Sequence, residues 1–201
     1  MTFYDTMIKY VAGILCKIYR TELVGAENLP DENTSCLLCA NHINNMDPFV
    51  IGAAIRIKVY YMAKAELFKV PVVSQIIRAF GAFPVKRGSG DVGMMKKTIA
   101  LIEDKKIVGM FPQGHRHPTE NPRETELHHG AGMILWRSQA CVLPVYIAAE
   151  GNRLRPFHKT KVIVGKVIPF EDLHLTEGNS SSYREATEYV FDKICSLGEQ
   201  I

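Results

Sequence analysis

An imidazole and a carboxylate lie five positions apart in the stretch Asn41-His42-Ile43-Asn44-Asn45-Met46-Asp47-Pro48. On an ideal helix, His42 and Asp47 at that spacing would point about 140° apart, so they meet only if the segment turns. Asn44, Asn45 and the Asp-Pro step supply such a turn. An imidazole whose N–H is accepted by a carboxylate is a general base with its tautomer fixed. The same residues also suit a plain turn in which Asp47 caps the following helix. Two other stretches end apolar runs with cations: Phe83-Pro84-Val85-Lys86-Arg87-Gly88 and Phe111-Pro112-Gln113-Gly114-His115-Arg116. Basic side chains at two such exits point to a shared anion. Arginine can grip phosphate with two parallel hydrogen bonds, and Gly114 would let backbone N–H groups come close.

Alternating strands and helices must bring these groups together. Strand-like runs cover residues 21–25, 35–40, 59–63, 81–85, 105–111, 141–147 and 161–168. Between them, helical patterns cover 48–55, with proline in the first turn, then 66–80 interrupted at Pro71, 91–104 and 130–139. A closing helix covers 183–197. This order predicts an α/β fold, a mixed and largely buried sheet flanked by helices. Ligand groups in such a sheet converge on the loops leaving strand ends, where all three chemical stretches fall.

The chain of 201 residues suits one domain, over 21–201 after an amphipathic segment 1–20, with 47% apolar and 22% charged residues. A net charge of +3 does not suggest nucleic-acid binding but is compatible with an anionic membrane surface or a phosphorylated substrate. Five scattered cysteines form no disulfide framework. Cys36 and Cys39 flank two leucines in a strand, so they face opposite sides as core residues, and a reducing cytoplasm fits. Over 1–20, Phe3, Tyr4, Met7, Ile8, Val11, Ile14, Leu15 and Ile18 recur at helical spacing, with Lys9, Lys17 and Arg20 mostly elsewhere. Such a helix either packs on the core or lies in a membrane interface; it is too short to span a bilayer.

The stretch around His42 and Asp47, the two basic exits and the strand Val142-Leu143-Pro144-Val145-Tyr146-Ile147 follow one another as four motifs. In order and spacing they resemble the 1-acyl-glycerol-3-phosphate acyltransferase (lysophosphatidic acid acyltransferase) family over about residues 20–170. The resemblance implies that His42 deprotonates an acceptor hydroxyl and that Asp47 orients it. It implies that Arg87 and Arg116, with Gly114, hold the acceptor phosphate, and that Pro144 lies on the strand shaping the pocket. Asn41, Lys86, Gln113 and His115 complete the expected substrate-binding set. The donor would be an acyl thioester on coenzyme A or acyl carrier protein, with no metal and no cofactor. A lysophospholipid acceptor would place the protein at the cytoplasmic face of the cell membrane, peripheral or monotopic.

The family's third motif usually reads Phe-Pro-Glu-Gly-Thr-Arg, whereas this chain carries Gln113 and His115. Glutamine keeps hydrogen bonding but loses the charge, which bears on the choice of acceptor: glycerol 3-phosphate or another lysophospholipid is the alternative. No Gly-x-Ser-x-Gly elbow is present, so direct transfer is simpler than a covalent route. Backbone amides near Pro48 are candidate oxyanion donors. His115, His117, His128 and His129 raise a rival metal reading, but their spacing matches no tetrahedral site. A non-catalytic membrane-surface module is a third reading.

Overall fold

The run Cys36-Leu37-Leu38-Cys39-Ala40 has no polar side chain to turn toward water. It forms a strand, β2 (Cys36–Ala40), buried at every position, as expected where helices cover both faces of a parallel sheet. The computed structural model describes residues 8–31, 34–85 and 92–200. The expected Phe3, Tyr4, Met7, Lys86 and Arg87 lie outside the described residues. Around β2 stand β1 (Thr21–Val24), β3 (Val59–Lys64), β4 (Phe83–Val85), β5 (Ile107–Met110), β6 (Cys141–Ala149) and β7 (Thr160–Val164). Their order across the sheet is β1-β7-β6-β2-β5-β3-β4. Strands β6, β2, β5, β3 and β4 run parallel, while β7 is antiparallel to β6 and parallel to β1. The sheet is therefore mixed, as predicted.

The N-terminal helix is a π-helical turn (Ile8–Ala12) continuing into α1 (Gly13–Ile18). Further helices are α2 (Asp47–Ile55), α3 (Pro71–Ala79), α4 (Val92–Glu103), α5 (Gly130–Ser138) and α6 (Ser180–Gly198). Helix α6 is longer than its apolar pattern predicts because Asn179 caps it, accepting from the Ser182 N–H at 3.0 Å. The predicted last strand stops at Val164. Ile168 returns to pair only with Val142, at 2.9 Å in each direction.

Leu38, Ala40, Val50, Ile51, Leu143 and Val145 pack on the α1–α2 side of the sheet, and Leu37, Cys39, Val142, Ile134 and Val190 on the α5–α6 side. From β2 the chain crosses through α2 toward β3, and from β5 through α5 toward β6. Neighbours β2 and β5 thus send their chains to opposite sides, leaving a crevice at their carboxyl ends. Both His42 and Phe111 lie there.

Cys36 and Cys39 are buried on opposite sides of the sheet, as the alternation predicts. Cys36, however, is joined by a disulfide to Cys141, its register partner on β6. This corrects the reading of Cys36 as a free core thiol: spacing along the chain does not reveal a partner 105 residues away. Along the N-terminal helix and its end, Ala12 and Tyr19 are buried, and Leu15 and Ile18 of the apolar stripe pack against the core. Tyr10 and Ile14 are exposed, so the helix has both a core side and a free side. Among the described residues, no helix is long and apolar enough to cross a membrane.

Candidate active site

The turn after β2 brings its acid and base together. Asn44 accepts the Met46 N–H on its side chain at 3.0 Å and the Asp47 N–H on its carbonyl at 3.2 Å. The chain thereby reverses in time for Pro48 to start α2. Asp47 then points back: one oxygen, Oδ2, accepts from His42 Nδ1 at 2.7 Å and from the amides of Ile43 and Asn44 at 2.7 and 2.8 Å. Burial pushes the Asp47 carboxyl above its ordinary value, and the bonds to His42, Asn44 and Ile43 oppose that rise. An N–H on His42 Nδ1 given to Asp47 leaves Nε2 as the basic nitrogen. The His42 side chain is 14% exposed and Asp47 fully buried.

A stack of rings holds the imidazole from the side. His42 lies on Phe111 with centroids 4.1 Å apart and planes within 14°, and Phe111 lies on Tyr61 at 5.7 Å. Gly109 makes room for the stack, since a Cβ there would meet the Tyr61 ring at 2.1 Å. A glycine inside an apolar strand signals such a close approach, although sequence reasoning passed over Gly109, Tyr61 and the ring of Phe111.

The backbone of His42 is fixed from the β5 side. Its N–H donates to Gln113 Oε1 at 2.6 Å, and its carbonyl accepts the His117 N–H at 2.8 Å. Gln113, 2% exposed, also donates from Nε2 to Thr125 Oγ1 at 2.8 Å, and Thr125 donates to the Pro122 carbonyl at 2.6 Å. Next in the chain, Arg123 reaches α6: Nε bonds Glu199 and Nη1 bonds Asp192, both at 2.6 Å, while Nη2 bonds Ser196 at 3.2 Å. Asn41, expected to touch substrate, is fully buried. Its amide exchanges two bonds with the Ile147 backbone at 3.1 and 2.7 Å, which makes it a brace between β2 and β6. Gln113, also expected to touch substrate, likewise acts as a brace here, with both ends of its amide engaged.

Residues 20–148 match the Acyltransferase family model. The chain belongs to the acyltransferase family. It is 31% identical over 167 residues to the 1-acyl-sn-glycerol-3-phosphate acyltransferase of Bacillus subtilis (strain 168), covering 80% of this chain and 81% of that one. A chloroplastic 1-acyl-sn-glycerol-3-phosphate acyltransferase of Brassica napus is 26% identical over 75% of this chain, which spans 44% of that protein. Among solved structures, the 1-acyl-sn-glycerophosphate (LPA) acyltransferase PlsC of Thermotoga maritima shares the fold, with a TM-score of 0.72 at 20% identity. That likeness covers all of this chain and 83% of that one.

Within this acyltransferase the third motif is arranged differently from the sequence expectation. Gly114 has φ +66°, and a Cβ on it would strike the His128 ring at 2.2 Å, so glycine is required twice over. Its N–H, expected to approach an anion, instead donates to the Phe111 carbonyl at 3.0 Å. His115 and Arg116 are exposed at the mouth, with the His115 ring 5.9 Å from that of His128. Among the described residues Arg116 enters no ion pair. Pro144 is buried on the α6 side, where it lines a cavity of about 370 Å³ with Gly165 and Leu197. It is not beside the His42 ring, because its place on β6 turns it to the other face of the sheet. Of the amides near Pro48 expected as candidate oxyanion donors, those of Phe49 and Val50 bond the Met46 carbonyl at 3.0 and 2.9 Å.

The cysteines are poorly suited to nucleophilic work. Burial pushes the Cys39 thiol up to about 12 and that of Cys195 up to about 11, far from the thiolate that attacks esters. Of the four clustered histidines, His115 and His128 have their rings 5.9 Å apart and His117 pairs with Glu120 at 3.0 Å. No group of three metal-ligating side chains occurs among the described residues.

Proposed function

We propose that this acyltransferase moves a fatty acyl group from an acyl thioester, on coenzyme A or acyl carrier protein, to the free hydroxyl of 1-acyl-glycerol 3-phosphate. The product is phosphatidic acid, and the reaction is a step of phospholipid biosynthesis. The observation that carries the reading is the His42–Asp47 pair, with Nδ1 held by a fully buried carboxylate and the imidazole side chain still 14% exposed. His42 Nε2 takes the acceptor's hydroxyl proton as its oxygen attacks the thioester carbonyl. Asp47 holds the imidazolium formed, and collapse of the tetrahedral adduct expels the thiolate, which takes up the proton. No enzyme-bound acyl group is formed, and no metal or cofactor takes part. Arg116, with Lys86 and Arg87 by resemblance, pairs with the acceptor phosphate, and His115 lies against the acceptor. The Bacillus subtilis relative is named a 1-acyl-sn-glycerol-3-phosphate acyltransferase, which supports this choice of acceptor.

The reaction takes place at a phospholipid membrane surface, on the cytoplasmic face, with the protein peripheral or monotopic and the free side of its N-terminal helix against lipid. His115 in place of threonine favours one second reading, a different acceptor such as glycerol 3-phosphate or another lysophospholipid. The deciding experiment gives purified protein acyl-CoA or acyl-ACP with each acceptor and measures released thiol and lipid product. Phosphatidic acid formed fastest from lysophosphatidic acid is expected. Thiol release indifferent to the acceptor would mean that the chain is a thioesterase.

A further inference from the structure

Between β6 and β7, the connection spanning residues 150–159 carries Phe157, the most exposed large apolar side chain among the described residues at 73%. Its backbone sits at φ 67°, a region in which an aromatic residue is strained and stays only when its surroundings fix it. Two contacts do so. The Phe157 N–H donates to the Ile18 carbonyl at 2.5 Å, and Leu154 is buried in the core. The chain is thereby held with the ring outward instead of folded onto the body.

On the N-terminal helix Ile14 and Tyr10 are 57% and 66% exposed, while Ile18 at its end packs on the core. Phe157, joined through its N–H to the last residue of α1, sets one more exposed apolar side chain beside the end of that helix. Lys17, Arg20, Arg153, Arg155 and Lys159 are exposed around it, and among the described residues none of them enters an ion pair. Of the nearby acids, Glu150 pairs with His158 at 3.4 Å, and Glu22 stands in register with Lys161 on β7. An outward ring amid unmatched cations has the chemistry of a bilayer interface bearing anionic headgroups. The same connection borders the active site. The Leu154 carbonyl accepts from Asn44 in the catalytic turn at 3.4 Å, and Asn152 donates to the Glu120 carbonyl in the third-motif loop at 2.8 Å.

We propose that the β6–β7 connection is a second membrane contact, with Phe157 inserted among lipid chains and Arg153, Arg155 and Lys159 against the phosphates of an anionic bilayer. It sets the site's mouth toward the lipid surface from which an acceptor arrives. The inference rests on the membrane-surface reading above, in which only the N-terminal helix was a lipid contact.

The test uses the full chain with vesicles of phosphatidylglycerol and phosphatidylcholine, sedimentation, and quenching by brominated lipids. Phe157→Trp and Tyr10→Trp report separately on the two contacts, while Trp136, on the opposite face of the sheet, supplies an unquenched background. Both new tryptophans should be quenched. Phe157→Ala should weaken partitioning about tenfold, and Arg155→Gln and Lys159→Gln about fivefold each at low salt. Phe157→Gly should bind as weakly as the alanine variant yet melt at a higher temperature, since glycine accepts φ 67° without strain. Quenching at Tyr10→Trp alone overturns the proposal and leaves the membrane reading standing. Quenching at neither, with no sedimentation, overturns both. A Phe157→Gly chain that melts lower also overturns it, by showing that the ring is a packing element.

Discussion

The loops leaving β2 and β5 start side by side and treat their charged groups in opposite ways. In the first, Asp47 is fully buried, with His42 and two amides on one oxygen. In the second, Arg116 stands exposed and enters no ion pair among the described residues. A base must be aimed before the substrate arrives, because reorganisation during reaction raises the barrier. A phosphate grip can be completed by the phosphate, and a resident carboxylate would have to be displaced first. Losses at the first loop should therefore damage chemistry, and losses at the second binding alone.

The sharpest test of that contrast is His42→Ala, which should lower turnover by about two to four decades with the melting temperature little changed. Thiol release against time measures it, and near-normal turnover would place the base elsewhere. Asp47→Asn should lose about two to three decades, since the imidazole keeps its place but loses the charge that stabilises its protonated form. Arg116→Ala should lower kcat/KM by about one to two decades for phosphorylated acceptors only. Lysine at 116 should restore part of it, lacking the fork that meets two oxygens. Equal losses with an uncharged acceptor would make Arg116 structural and remove the contrast.

Smaller effects sharpen the picture. Thr125→Val removes the acceptor for Gln113 Nε2. A buried donor left alone costs about 1–3 kcal/mol, visible in denaturant unfolding, with a fall in kcat and little change in KM. The smallest effect concerns pH. Burial holds the Asp47 carboxyl above its ordinary value, so the folded chain keeps this proton to higher pH than the unfolded chain does. Stability should therefore fall as pH rises from the ordinary carboxylate value to the raised one, and level off above it. The difference between wild type and Asp47→Asn, followed through that interval, should show this slope, and an opposite slope would mean that the three donors outweigh burial.

Local signals made much of this legible. The apolar runs of β2, β5 and β6, and Pro48 and Pro71 at helix starts, are visible as composition and spacing. So was the meeting of His42 with Asp47, because the turn joining them lies within the same few residues. What escaped were the partners distant in sequence. Gln113 finds the His42 N–H across 71 residues, and Asn41 finds Ile147 across 106; both polar side chains lie beside His42 and were naturally read as substrate contacts. Buried amides instead satisfy backbone groups left open where strands end. The outward Phe157 was hidden too, because nothing in its residue type announces a left-handed backbone.

Strand β4 ends the sheet opposite β1, and its middle residue is Pro84, exposed and paired with Ala63. An outermost strand offers its free backbone edge to any other extended chain, the usual starting point of edge-to-edge aggregation. With three residues and a proline that has no N–H to offer, β4 is a poor template for such growth. The second motif thus contributes colloidal protection quite apart from its cations, and Pro84→Val would be the substitution to watch during concentrated refolding.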